Sequence, residues 1–408
     1  MTETSVAIVG AGINGTTAAI ELTKRGHRVK LLDPGPLPHP LAASTDISKV
    51  VRMEYGADED YMALAEQAIE GWHAWNQEFG VELYHQTGML FLRQSPLKRG
   101  DYEYESLRLL RKRGHKPERL KPDQIRARFP AWNADHYVDG FFDPEGGYAE
   151  SGRVVARLVE KAKSLGVELL EGDAFAQLDE TDGRVRGVIT AKGERIAADQ
   201  VLMAVGAWTN HVLPQTAEFL RSVGQPVFHL KPKNPDLFRG ERFPVFAADT
   251  SNTGYYGFPV NRDGVLKIAR HATGREMHPE SEERAVTPEE EKNLREFLAK
   301  TFAELAEAPI VYTRVCLYSD TYDGHFWIAP DPDHPGLVVA AGDSGHGFKF
   351  APILGGIIAD AVEGNPNPIL EKFRWRPEVR PHLSEEASRH QARKRRQTGA
   401  GGRKEKRV

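Results

Sequence analysis

Apolar positions open the chain as an unbroken run, TSVAIV at 4–9, the pattern of a short strand covered on both faces. NGTTAAIELTKR (14–25) then carries apolar residues at helical spacing and stops at Gly26, and RVKLL (28–32) returns to strand character. The three predict a βαβ unit. A second amphipathic helix, VVARLVEKAKSLG (154–166), leads into VELLEG (167–172), a hairpin broken at Thr181-Asp182-Gly183-Arg184, and a strand QVLMAVGAW (200–208). Between these pieces, 86–144 is richer in charge and aromatics, and 226–323 alternates in period two through GYYGFPV and GVLKIARH, as an antiparallel sheet does. A last strand, GLVVAAG (336–342), precedes a turn and an apolar helix, PILGGIIADAVEG (352–364). The expectation is an α/β chain of two interleaved domains: a Rossmann-like one from 1–85, 145–225 and 324–385, and a discontinuous antiparallel-sheet one from 86–144 and 226–323, followed by a tail at 386–408.

The first turn sharpens this picture. Gly10-Ala11-Gly12-Ile13-Asn14-Gly15 fits G-x-G-x-x-G between a strand and a helix, where glycines permit a tight turn and a close approach of backbone to a pyrophosphate. The helix N-terminus adds N–H donors and positive dipole. Asp33 closes the second strand 18 residues after Gly15, where a carboxylate accepts from ribose hydroxyls and repels an NADP-type phosphate. The motif alone does not choose between NAD and FAD. Its place at the N-terminus, with Val205-Gly206-Ala207-Trp208-Thr209 as a second turn after a late strand, favours a flavoprotein.

Composition narrows the rest. With 408 residues and 40% apolar content the chain can bury a large core. No apolar run approaches the ~20 residues that span a bilayer, and MTETSVAIVG lacks a signal-peptide layout, so a cytoplasmic protein without a membrane span is expected. One cysteine excludes an internal disulfide, and the scattered histidines lack paired metal spacing. The net charge of -4 hides a basic tail: 389–408 holds nine Lys/Arg against one Glu, leaving about -12 for the remainder. That tail has no aromatic or motif-like feature, so it is read as a solvated end without specific nucleic-acid recognition.

CLYSDTYDGHFWI (316–328), GDSGHGFKF (342–350), STDISKVVR (44–52) and YYGFP (255–259) together resemble monomeric sarcosine oxidase and its relatives, among them the N-methyltryptophan, pipecolate and fructosyl amino-acid oxidases, within the D-amino-acid-oxidase-like flavoproteins. The likeness runs from the glycine motif to about residue 375. It implies FAD as cofactor, held by the first domain, with the second domain over the substrate. It also implies a monomer that oxidises a secondary amine, an N-alkyl or cyclic amino acid, to an imine with molecular oxygen as partner and hydrogen peroxide as product.

The resemblance assigns residues as well. Cys316, with Tyr318 two positions on, matches the cysteine that forms a thioether to the flavin 8-methyl carbon; a nearby cation such as Arg314 would favour the thiolate this needs. Gly345, Gly347, Phe348 and Lys349 lie in a strand-to-helix turn whose N–H groups suit the electron-rich edge of the ring. Ser44, Thr45 and Lys49 fall in the cofactor-side stretch. Arg52 and Lys349 match the pair that holds the substrate carboxylate, a guanidinium fork plus a point charge. Lys267 matches the lysine that promotes reaction with oxygen, and His271 and Tyr256 match a histidine and a tyrosine near the substrate amine. Two departures stand out: Lys49 replaces a flavin-side arginine, and STDISKVVRMEYG differs from the usual histidine-glycine version, so sarcosine itself is not implied. A serine hydrolase is ruled out because G-x-S-x-G needs glycine where His346 stands. A flavin dehydrogenase using another acceptor, and a non-catalytic flavoprotein subunit, remain as alternatives, against which Lys267, and Cys316 with Arg52 and Lys349, respectively weigh.

Overall fold

The computed structural model describes residues 4–379; the basic tail lies outside the described residues. Its first sheet has the strand order Trp327–Pro330, Leu337–Ala341, Gln200–Met203, Ser5–Val9, Arg28–Asp33, Glu168–Glu171. All pairings are parallel except the edge strand Trp327–Pro330. Ser5–Val9 sits centrally because it is apolar on both sides, and helices cover the sheet as parallel pairing requires. Helix Ile13–Lys24 packs on Ala351–Glu363 at Gly355, where a Cβ would stand 2.5 Å from the Thr17 carbonyl oxygen. The expected βαβ unit is present, with boundaries within a residue of those read from the sequence.

Three expectations change. The strand predicted over 200–208 ends at Met203, because Gly206 turns left-handed (φ +54°) and starts a 3₁₀ turn, Gly206–Trp208. Helix Pro288–Thr301 interrupts the region read as alternating sheet; Thr287 and Glu290 form a capping box and Pro288 occupies the first turn. Helix Glu59–Phe79 was not anticipated either, although Asp58 caps it and Gly80 ends it left-handed. The hairpin is where the sequence put it, Phe175–Thr181 against Arg184–Thr190, with Asp182 and Gly183 both at positive φ.

The largest sheet has nine strands and draws on both interleaved segments. It is antiparallel except where Val245–Ala248 runs parallel to Met89–Arg93, which is the seam between the segments. Leu220–Leu230 pairs with Ile310–Thr321 on one edge and Leu266–Arg270 on the other. The register aligns one continuous row across the sheet: Arg314, Val227, Ala269, Tyr256, Ala247, Phe91 and Phe141. Residues opposite one another share a face, and so do residues two positions along. Cys316, Tyr318, Lys267, Met89 and Arg93 therefore point to the same side as Tyr256. Among the described residues no helix is long and apolar enough to cross a membrane.

Candidate active site

Two adjoining cavities lie between the sheets. The first is lined by Gly10, Gly12, Asp33 and Ser44 on one wall and by Val205 and Trp208 on the other, reaching Ser319 and Asp343 at its far end. Its glycines are required by contact. A Cβ on Gly15 would fall 1.8 Å from the Gly10 oxygen, and one on Gly10 (φ +98°) would fall 2.6 Å from the Ala204 oxygen. Gly12 differs, since a Cβ there would meet only Ser44 Oγ, at 3.4 Å, so its backbone is open to the cavity. Asp33 accepts from the N–H groups of Ala11 (2.8 Å) and Gly35 (2.9 Å), and the Ser44 hydroxyl accepts from Ile13 N–H at 3.0 Å. An open glycine turn at a helix N-terminus, an acid on the next strand and an elongated cavity fit the dinucleotide half of FAD.

The second cavity adjoins the first through chain neighbours, Tyr318 lining the second beside Ser319 in the first. Lys49, Arg52, Tyr256, His271, Phe348 and Lys349 all line it, together with Gly345. Gly345 is left-handed (φ +77°), and a Cβ there would stand 2.3 Å from the Tyr318 ring, so the turn needs glycine. Seven of the residues expected at a substrate or ring site are thus brought together from segments far apart in sequence.

Lys349 is fixed by a directional chain. Its buried ammonium donates to the Tyr55 hydroxyl (2.8 Å) and to the His346 carbonyl (2.8 Å). His346 Nε2 lies 2.8 Å from the Gly324 carbonyl, which only accepts, so Nε2 carries the proton and Nδ1 accepts from Tyr55 at 3.0 Å. Burial, reinforced by the Lys349 charge, pushes His346 well below the usual histidine range, in keeping with a neutral ring. Arg52 donates to the Tyr102 hydroxyl at 2.9 Å, and both cations lie over the Tyr55 ring, at 5.0 Å for Arg52 and 5.2 Å for Lys349. Tyr55 was not singled out from the sequence and His346 only as the residue that breaks a hydrolase motif, although both stand within the RMEYG and SGHGF stretches that were.

Lys267 and Cys316 are placed differently from Lys349. Lys267 does not line either cavity; its ammonium is buried, 2.7 Å from Asp46 Oδ2, and donates to the Ser48 carbonyl at 2.5 Å. Asp46 Oδ1 lies 3.1 Å from His229 Nε2. Burial pushes Lys267 down to about 8, opposed by Asp46, and Asp46 itself is held well below the usual carboxylate range, burial being outweighed by Lys267 and His229. Cys316 is buried, and Lys49 Nζ is 3.5 Å from its sulfur. The cation expected beside it, Arg314, instead donates to the carbonyls of Thr45 and Ala42, so Lys49 takes that position. Thr45 contributes its backbone carbonyl to Arg314 and lines neither cavity. Asp46 stands in the stretch that departs from the family pattern, and that departure is its only trace in the sequence.

A family model for FAD dependent oxidoreductases (DAO) matches residues 5–361. The chain belongs to this family. It is 28% identical to monomeric sarcosine oxidase of Bacillus sp. (strain B-0618) over 362 residues, covering 88% of this chain and 92% of that one. It is also 28% identical to L-saccharopine oxidase of Schizosaccharomyces pombe, covering 91% and 93% of the two chains. Among solved structures, the deglycating fructosamine oxidase (Amadoriase II) of Aspergillus fumigatus superposes with a TM-score of 0.81 at 28% identity, covering 93% of this chain and 91% of that one. The protein is an FAD-dependent oxidoreductase with the D-amino-acid-oxidase-like α/β fold, and its relatives act on CH–NH bonds.

The Lys267–Asp46 pair makes a stability prediction. Asp46→Ala leaves a buried ammonium without its carboxylate and should cost about 3–5 kcal/mol in denaturant unfolding. Asp46→Ala combined with Lys267→Met removes both charges and should recover much of that loss. Additive losses in the double variant would show that the two charges do not interact.

Proposed function

We propose that this flavoenzyme is an oxidase of secondary amines that carry a carboxylate, with N-alkyl and cyclic amino acids as the substrate class. The observation that carries the reading is the placement of Arg52 and Lys349 over one tyrosine ring, both lining one cavity whose Tyr318 is the chain neighbour of Ser319 in the nucleotide cleft. A guanidinium and an ammonium held in fixed positions orient a carboxylate and thereby aim the neighbouring carbon. Tyr256 and His271 flank the same space. Bound FAD supplies a two-electron acceptor for the C–H bond next to nitrogen. With loss of the N–H proton the amine becomes an imine, and the two electrons and two protons reach oxygen as hydrogen peroxide. In this reading the parallel-sheet unit holds the cofactor, the nine-stranded sheet roofs the substrate, and the chain works as a cytoplasmic monomer.

Lys267 bears on the oxygen step, where a buried positive charge favours electron transfer to oxygen. Its enclosure by Asp46, outside both cavities, favours the second reading, a dehydrogenase that uses another acceptor. Cys316, with Lys49 at its sulfur, is the proposed point of thioether attachment to the flavin 8-methyl group, S–H and C–H hydrogens leaving as two electrons and two protons to oxygen.

Peroxide-coupled assays of N-alkyl and cyclic amino acids test the substrate class. Arg52→Ala or Lys349→Ala should lower kcat/KM for them by roughly 2–4 kcal/mol, about 30- to 1000-fold. Amines lacking the carboxylate should be nearly indifferent; equal losses for both kinds would withdraw the carboxylate from the assignment. For the oxygen step, Lys267 is charged below its value of about 8 and neutral above it. Stopped-flow reoxidation should therefore slow as pH rises through about 8 while reduction by substrate does not follow the same curve; a flat reoxidation profile, or none with oxygen, favours the dehydrogenase. For the attachment, the intact denatured holoprotein should weigh one FAD more than its polypeptide, and Cys316→Ala should not. A polypeptide-only mass for flavin-loaded protein rules the thioether out.

A further inference from the structure

The second cavity is polarised. Lys49, Arg52 and Lys349 line it as cations, whereas Glu103 lines it as a carboxylate from the helix Tyr102–Lys112. Glu103 is 2% exposed, and Arg93 is the side chain that donates to it, at 2.5 Å. That single guanidinium serves three acids: Glu103, Asp249 at 2.9 Å and Asp101 at 3.6 Å. Among the described residues neither Glu103 nor Asp249 has a second ion-pair partner, and Asp249 is 1% exposed. Burial raises the Glu103 carboxyl above the ordinary range against the pull of Arg93, the condition of an acid short of positive partners. Sheet register fixes where this excess of negative charge sits. Met89, Phe91 and Arg93 share one face, with Ala247 opposite Phe91 and Asp249 two positions beyond it, so the wall passes from apolar to acidic along the strands.

We propose that Glu103 is a specificity-determining residue that receives a positively charged group at the far end of the substrate, so that the preferred substrates are basic: secondary-amine amino acids whose side chain or N-substituent ends in an ammonium. The assignment rests on the carboxylate clamp of Arg52 and Lys349, which leaves the remote end of the molecule to lie along Met89, Phe91 and Ala247. An ammonium there supplies a charge that the three acids lack, beside a buried carboxylate, where a charge-assisted contact is stronger than at the surface. A neutral chain of equal length leaves Glu103 buried without it.

The test uses the holoenzyme and calorimetric binding of γ-aminobutyrate and δ-aminovalerate beside butyrate and valerate. The amino forms should bind the unaltered enzyme at least about tenfold more tightly, and Glu103→Gln, which keeps the size and a hydrogen bond to Arg93, should bring the ratio close to one. Glu103→Asp, which keeps the charge on a shorter arm, should retain part of the preference and covers the case in which the glutamine variant does not fold. In turnover, Nα-methyl-lysine should exceed Nα-methyl-norleucine in kcat/KM, and Glu103→Gln should erase the difference. Equal binding of amino and plain acids to the unaltered enzyme overturns the proposal, as does a Glu103→Gln loss shared by both, which would make the residue a structural anchor for Arg93 or a contact of the reacting amine. Failure of the underlying reading looks different: plain carboxylates would not bind, or would bind without regard to Arg52→Ala.

Discussion

The buried pair of Lys267 and Asp46, joined by His229 on the same carboxylate and by Arg314 on the Thr45 and Ala42 carbonyls, ties the chain between the two cavities to the large sheet. Asp46 lies in a nine-residue stretch, 44–52, that serves both cavities. Ser44 accepts from the first N–H of the helix behind the glycine turn, Lys49 approaches Cys316, and Arg52 lines the second cavity, donating to the Tyr102 hydroxyl. Lys267 anchors that stretch to the large sheet at one point, through the Asp46 carboxylate and the Ser48 carbonyl together. A buried ion pair is weak evidence of net stability, because desolvation offsets much of the attraction. Its effect here is positional: the geometry that satisfies both charges also sets how the sheet faces the cofactor cleft.

Much of the nucleotide half was legible because its constraints are local. A glycine turn, a helix and an acid at the end of the next strand fall within about 30 residues, and each has a sequence signature. Cys316, Lys349 and Arg52 became legible through family resemblance, not through periodicity. What the sequence did not disclose arises from contacts between distant segments. Lys49 displaces Arg314 as the neighbour of Cys316 because Arg314 is drawn to the Thr45 and Ala42 carbonyls, a competition that no local pattern encodes. The helix Pro288–Thr301, with its readable cap Thr287, was missed because the alternation around it suggested sheet, and Glu59–Phe79, capped by Asp58, lies in a stretch for which no element was read.

Charge is distributed in the site with a consistent logic. Three cations gather on one wall, and the hydrogen-bond chain from Lys349 through Tyr55 ends on a histidine kept neutral by its surroundings. A protonated His346 would add a fourth positive charge beside Lys349; a neutral one accepts from Tyr55 and holds its hydroxyl in place to receive the lysine. The network thus fixes the position of the ammonium without weakening its charge, which a carboxylate partner would have done.

Under the proposed function, the same sheet face would separate chemistry from recognition. Lys267 and Met89 lie on one side of the row through Tyr256, Ala247 and Phe91, and Arg93 with Asp249 on the other, two residues along strands that rise about 3.3 Å per residue. Side chains at the acidic end can vary without moving the row through Tyr256, Ala247 and Phe91, since register is set by backbone pairing. That separation is consistent with relatives of nearly equal identity bearing names as different as sarcosine oxidase and L-saccharopine oxidase. If the acidic end selects the amine as proposed, a few side chains at one end of the sheet would suffice to change which amine is accepted, while the cations and the glycine turn stay where backbone hydrogen bonds have put them.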